Sequence, residues 1–382
     1  MAFLLRVDGP RWRDHLNRTL LASPGLVPVV KGNGYGFGNP VLAAQCQRLR
    51  DDAAEAVGSR NAAASHEADG NGTQWAGIPD VDVVAVGTYG ELPGVLSEYA
   101  GRVLVLEPFR GVLHGEVDQI GDPALIPALI HTVTTRADLI ALGRRAPGAH
   151  VVLEGRTSMN RFGTTPAELR TLIEGIEGIE GAVVPAVLEG ITLHLPLGSG
   201  HEREVSRWLD AFPQQHTWYV SHLSPDELAR LRAAYPKRVI RPRVGTQLWL
   251  GDAATWWFGG QVLDVQAVRG PMRAGYRGRR VRGGHLLVVS GGTAHGVAME
   301  APSAVATPRQ RVLVVAEALL EAAGRIRSPF SVNGRPTWFV EPPHMQVSLL
   351  HLPARLPAPA VGDELPVRMR ATTAYPDLVS FG

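Results

Sequence analysis

Eight short apolar runs recur between residue 1 and about residue 250: LVPVVK, VDVVAVG, RVLVLEP, PALIHTV, HVVLEG, GITLHL, TWYVSHL and VIRPRVG. Each is nearly continuous rather than alternating. A strand that is apolar on both faces belongs in a sheet covered on both faces, which is the habit of parallel sheets. Helical patterns fill the gaps, among them PVLAAQCQRLRDD, RADLIALGRRA, PAELRTLIEGI and SPDELARLRAAY. Eight strands alternating with helices predict an α/β fold, a (β/α)8 barrel of the TIM type in preference to an open doubly wound sheet.

The texture changes near residue 256. Helical patterns almost vanish, and GQVLDVQAVRG, RGGHLLVVSGG, TWFVEPP, HMQVSLLHL and GDELPVRMRA read as strands between Gly and Pro turns. One helix is expected around residues 310–323. The chain therefore divides into a barrel over residues 1–255 and a mostly-β domain over 256–382. Residues 53–77, AAEAVGSRNAAASHEADGNGTQWAG, are poor in bulky apolar side chains and read as an exposed loop insertion.

Composition excludes several classes. Of 382 residues, 45% are hydrophobic and 19% charged, which fits a globular protein with a large core. A net charge of +2 gives no reason to expect nucleic acid or an anionic membrane. The richest basic stretch, RAGYRGRRVRGG, reads as a solvated loop or strand edge. One cysteine, Cys46, rules out a disulfide framework. No run approaches a membrane span, and MAFLLRVDGP is not a signal peptide, so a cytoplasmic protein is expected and the NRT and NGT triplets at Asn17 and Asn71 are idle. The thirteen histidines show no ligand spacing, so no metal is expected. The zinc helix H-E-x-x-H and the nucleophile elbow G-x-S-x-G are both absent.

The stretch VVKGNGYGFG places Lys31 at the end of the first apolar run. Catalytic groups of a parallel barrel sit at the C-terminal ends of its strands. An amine beside low-dielectric walls has its charged form disfavoured, which frees the lone pair a Schiff-base lysine needs. The glycines that follow let backbone turn tightly and approach a ligand. On chemistry alone, a snorkelling lysine before an ordinary glycine loop is an equal alternative. The stretch is neither a Walker A loop nor G-x-G-x-x-G.

This stretch resembles the cofactor attachment motif of the alanine racemase family, V-V-K-A-N-A-Y-G-H-G. The resemblance implies a barrel followed by a β domain, with pyridoxal 5'-phosphate held by Lys31 and contacted by Tyr35. It continues in order along most of the chain. LEGRTSMNRFG resembles L-K-x-D-T-G-M-x-R-x-G and gives Arg161 a place beside the cofactor and the substrate. Glu154 stands where the family has a lysine, often carbamylated, that orients this arginine. A carboxylate can replace a carbamate, so Glu154 is expected to orient Arg161 by a charge-assisted hydrogen bond; the alternative is an ordinary strand-end surface glutamate. GITLHLPL resembles G-x-x-T-H-x-A, which sets His194 beside the pyridine ring.

VSHLSPDELARL resembles x-x-x-N-S-A-A-x-L, in which the serine binds phosphate; Ser224 takes that place. Independently, Ser224, Pro225 and Glu227 read as N-cap, N1 and N3 of a capping box, and a helix N-terminus suits phosphate. RPRVGTQLWLG resembles R-x-G-I-x-x-Y-G. Arg243 then faces the pyridine nitrogen, and the backbone of Gly245 and Thr246 faces the phosphate. An arginine keeps its proton, so the ring nitrogen stays unprotonated, which favours simple proton exchange at Cα. RAGYRG falls where the family places a tyrosine that serves the partner subunit as second base, which gives Tyr276. Tyr375 in TTAYPD is a further phosphate contact.

The resemblance thus implies an amino-acid racemase in a head-to-tail homodimer, working by two-base proton exchange through Lys31 and Tyr276. Departures keep other readings open. PHMQVSLL lacks the aspartate of the family's M-D-Q, GGTAHG replaces G-Y-A-D-G, and Phe37 replaces a histidine. A decarboxylase or eliminase-type reaction, or a non-catalytic cofactor-binding protein, are the alternatives.

Overall fold

The computed structural model describes residues 2–63, 81–114, 117–177, 186–299 and 326–382. The helix expected at 310–323, the NGT triplet and residues 64–77 of the expected insertion lie outside the described residues. The chain divides into two compact units. One comprises Asp14–Gly34 and Gly38–Gly251, the other Met1–Arg13, Tyr35–Phe37 and Asp252–Gly382.

Strand β1 is Phe3–Val7. The larger unit holds the next eight strands: β2 Val27–Pro28, β3 Val83–Val86, β4 Arg102–Pro108, β5 Leu129–Val133, β6 Ala149–Gly155, β7 Ala186–Leu193, β8 Thr217–Ser221 and β9 Val239–Val244. They correspond one for one to the eight apolar runs. All pair in parallel, in the order β2-β9-β8-β7-β6-β5-β4-β3. A parallel bridge from Val29 to Ala85, with the Val30 amide donating to the Ala85 carbonyl at 2.7 Å, joins the two ends and closes the barrel. A buried cluster of Val27, Val29, Val83, Ala85, Leu104, Ile130, Val152 and Tyr219 draws on six of its strands. The four helical patterns quoted above form helices Asn39–Ala63, Arg136–Arg145, Pro166–Glu177 and Pro225–Ala234. The first of these runs past the polar boundary expected at residue 53. Ala and Glu are strong helix formers, and their propensity carries the helix through the start of the expected loop.

The second unit contains β1 and β10 Trp256–Ala267, β11 Met272–Ala274, β12 Arg279–Val281, β13 His285–Ser290, β14 Ile326–Val332, β15 Arg335–Phe339, β16 Val347–Leu352, β17 Glu364–Val367 and β18 Leu378–Phe381. Its main sheet runs β13-β16-β15-β14-β17-β10-β1-β18, and β10 also pairs with β13, so the order turns back on itself. Every pair is antiparallel except β1 with β18. The chain's first strand thus belongs to this sheet. Its apolar residues are buried, and its one charge, Arg6, donates Nε to Glu364 at 3.0 Å and Nη1 to Ser380 at 2.9 Å. Phe37 stacks on Trp12 in the same unit, with centroids 5.1 Å apart, which gives an apolar ring a place here.

Leu104 is fully buried among the barrel side chains. Leu104→Ala should lower stability by about 2–5 kcal/mol, read as a lower denaturant midpoint at unchanged slope.

Candidate active site

The strand ends gather the chemistry. Lys31 follows the closing residues Val29 and Val30 and is exposed. Its loop is held by backbone contacts. The Gly34 amide donates to the Lys31 carbonyl at 3.1 Å, and Gly32 adopts φ 62°. Glu91 is the anchor. Its Oε1 accepts from the Gly32 amide at 2.7 Å, and its Oε2 accepts from Gly87 at 2.6 Å and Thr88 at 3.3 Å. A Cβ at Gly87 would lie 3.1 Å from both the Lys31 Cβ and a Glu91 carboxylate oxygen, so a glycine there lets strand end and lysine meet. Sequence reasoning did not single out Glu91. The signal was available, since Thr88 and Glu91 have capping-box spacing.

Glu154 is the penultimate residue of β6 and Arg243 the penultimate residue of β9. Both are buried, at 5% and 7% exposure. Arg243 donates Nη2 to the Leu193 carbonyl at 3.0 Å, while its Nε and the Glu154 Oε2 have no hydrogen-bond partner among the described residues. Burial drives the Glu154 carboxyl up to about 7 against the pull of Arg243, Arg161 and Arg110, in that order. Burial likewise lowers Arg243 to about 10, with Glu154 opposing it. Glu154 is therefore no surface glutamate, and Arg243 exerts the largest pull on it. Arg161 is exposed, its guanidinium over the Phe162 ring at 5.2 Å. The Lys31 amine falls below its ordinary value, first because it is partly stripped of water, then because Arg161 and Arg243 repel its charge, with Glu91 working the other way.

His194 follows β7. Its Nδ1 lies 3.0 Å from the Ser221 hydroxyl, and its ring sits 5.3 Å from that of His222. Ser221 Oγ accepts from the Leu195 amide at 3.1 Å, and His222 Nδ1 reaches the Leu195 carbonyl at 2.6 Å. Burial, then Arg243 and Arg161, depress His194 to about 3, so the imidazole is neutral at physiological pH. Ser221 and His222 were also passed over in the sequence, although both stand in the VSHLS run.

Ser224 forms the expected capping box at the Pro225–Ala234 helix. Its amide and hydroxyl both donate to Glu227 Oε2 at 2.9 Å, and Glu227 Oε1 accepts from Gly200 at 2.8 Å and His201 at 2.9 Å. The Ser224 hydroxyl is thus engaged within the fold. Gly245 caps the short Thr246–Leu250 helix, its carbonyl accepting from the Leu248 amide at 2.9 Å and the Trp249 amide at 3.0 Å. Three expected residues belong to the other unit. Tyr35 is buried with φ 54°, Tyr276 is 89% exposed at a hairpin tip, and Tyr375 is exposed near the chain's end. The barrel thus brings together Lys31, Glu154, Arg161, His194 and Arg243. Among the described residues no cluster of metal-ligating side chains occurs, and no helix is long and apolar enough to cross a membrane.

The model of the alanine racemase N-terminal domain matches residues 12–229, more than half of the sequence. The chain belongs to the alanine racemase family. No curated protein sequence matches it. Solved structures share its fold at low identity. Alanine racemase from Oenococcus oeni is 14% identical with a TM-score of 0.59, over 96% of this chain and 88% of that one. The biosynthetic alanine racemase of Pseudomonas aeruginosa is 19% identical with a TM-score of 0.56, over 97% and 91%. The Bartonella henselae alanine racemase, solved with covalently bound pyridoxal phosphate, is 18% identical with a TM-score of 0.60, over 97% and 91%.

The raised Glu154 gives a pH signature. A carboxyl whose folded value lies above its ordinary 4.5 contributes stability that is full below 4.5 and lost as pH rises through about 7. His194 acts oppositely, its contribution being lost as pH falls from 6.5 toward 3. Glu154→Gln should therefore flatten the decline between pH 4.5 and 7, a change of roughly 3 kcal/mol at most. Denaturant titrations of both proteins across that window would check it.

Proposed function

We propose that this protein is a pyridoxal 5'-phosphate-dependent amino-acid racemase, a cytoplasmic enzyme acting as a head-to-tail homodimer. The observation that carries the reading is the convergence of Lys31, His194 and Arg243 at the C-terminal mouth of one barrel, with the lysine's charged form disfavoured. The donor set fits the cofactor. A phosphorylated pyridine aldehyde needs an amine with an available lone pair, a fixed hydrogen-bond donor for its ring nitrogen, and amides for its phosphate. Lys31, Arg243, whose buried Nε has no partner among the described residues, and the backbone of Gly245 and Thr246 supply these.

In this reading Lys31 would hold the cofactor covalently, Arg243 would donate a hydrogen bond to its ring nitrogen, and His194, a neutral imidazole, would pack beside the ring. Gly245 and Thr246 offer backbone to the phosphate, with Ser224, Tyr35 and Tyr375 as further contacts. Arg161 orients the substrate, and Glu154 supports the arginines. Bound pyridoxal phosphate supplies an electron sink that acidifies the Cα proton of an amino acid. Arg243 remains protonated at neutral pH, so it does not give the ring nitrogen a proton. Lys31 moves a proton at one face of Cα, and Tyr276 of a second copy moves one at the other, which inverts the centre.

Purified protein with added pyridoxal phosphate, incubated in deuterated water with a panel of L- and D-amino acids, should exchange the Cα proton of its substrate with inversion. Lys31→Ala should abolish this, and Tyr276→Phe should slow inversion by roughly 100-fold or more. Proton NMR with chiral analysis reads both. Exchange with no inverted product from any amino acid would refute the racemase reading.

A further inference from the structure

Tyr276 sits between β11 and β12, in a turn closed by the Gly278 amide on the Gly275 carbonyl at 3.2 Å. At 89% exposure its ring ought to be free to sample rotamers, as loop-tip side chains do. It is instead held from two directions. Glu341, 3% exposed, accepts from the Tyr276 amide at 2.8 Å and the Arg277 amide at 3.1 Å. His344 donates Nε2 to the same carboxylate at 2.6 Å, and its ring lies against the Tyr276 ring, with centroids 4.3 Å apart and planes inclined by 35°.

The rest of the cradle is fitted to this arrangement. Gly275 has φ 75°, and a Cβ there would collide with the Glu341 carboxylate. Pro342 and Pro343, which separate Glu341 from His344, fix two backbone φ angles in the segment that carries both. Burying a carboxylate is costly unless its oxygens are bonded, and here three donors bond them. Burial acts to raise this carboxyl, but the bonds from His344, Arg277 and Tyr276 outweigh it and hold it below the ordinary range. A buried anion, two backbone amides and an imidazole thus hold one phenol that faces solvent.

We propose that Glu341 and His344 are positioning residues for Tyr276. Glu341 fixes the hairpin tip, and His344 fixes the plane of the phenol. The role rests on the racemase reading, in which Tyr276 serves one face of Cα and Lys31 the other. Neither residue stands out in the sequence, where PHMQVSLL registers as a departure from the family pattern.

The test separates the two bases. In the protein with pyridoxal phosphate, a misplaced Tyr276 blocks inversion, yet Lys31 can still remove and return a proton on its own face. His344→Ala should therefore cut inversion roughly tenfold or more while exchange with retention in one enantiomer stays within about twofold. His344→Phe, which keeps a ring under the phenol, should restore most of the inversion. Without added cofactor, the Tyr276 ring protons should lose their ring-current shift in His344→Ala and keep one in His344→Phe, and Glu341→Gln should speed hydrogen exchange at the Tyr276 and Arg277 amides. Inversion and exchange falling in parallel, or unchanged ring and amide signals, would overturn the proposal. A full rate of inversion in Tyr276→Phe would instead refute the assignment of Tyr276 as a base, on which the proposal rests.

Discussion

A guanidinium sealed inside a barrel must find an opposing charge there, because solvation is withdrawn from both partners. Arg243 and Glu154 meet that demand only in part. Burial outweighs the arginine's pull and leaves the carboxyl near 7, so at neutral pH the negative charge is incomplete. Arg161 adds a second guanidinium, which pulls on Glu154 and repels the charged forms of Lys31 and His194. The strand ends therefore carry an excess of positive charge. That excess, added to lost hydration, depresses both the Lys31 amine and the His194 imidazole. Both groups are thereby biased toward their neutral forms, which a nucleophilic amine and a packing imidazole need.

Electrostatics alone does not place an amine. The carbonyl of Lys31 and the amides on either side of the strand gap are tied by Gly34, by Glu91 and by the bridge from Val29 to Ala85. The bridge closes the barrel two residues before the lysine. Lys31 thus emerges from the last paired turn of the sheet, and the open glycine loop begins only after it. Rigid strand, then lysine, then permissive backbone is the order in which precision and access can coexist.

Much of this was legible in the sequence. Continuous apolar runs announced the parallel strands, because burial on both faces leaves no room for alternation. The Ser224–Pro225–Glu227 cap was equally plain, since its chemistry is local. What stayed hidden was long-range or environmental. β1 reads as an undistinguished apolar run, and only its pairing with β10 and β18 sets it in the second sheet. Glu154 looks the same whether it salt-bridges Arg161 or lies buried under the larger pull of Arg243, because burial is a property of the closed barrel. Glu341 and His344 acquire meaning only when the turn between β15 and β16 meets the β11–β12 tip.

Three glutamates solve one recurring problem. Glu91 gathers the amides of Gly32, Gly87 and Thr88 beside Lys31; Glu227 gathers those of Gly200, His201 and Ser224; Glu341 gathers those of Tyr276 and Arg277. Loops at a working site must leave their strands early, and so they shed ladder hydrogen bonds. A neutral side chain could answer one or two of the freed amides. A carboxylate offers about four lone-pair sites, and each bond it accepts is charge-assisted. The donors in turn keep the acid ionised, as for Glu227, held down at about 2 by its backbone and serine bonds against the opposing effect of burial. Each glutamate therefore stiffens a segment that no sheet supports, and two of the three segments carry the side chains assigned to proton transfer.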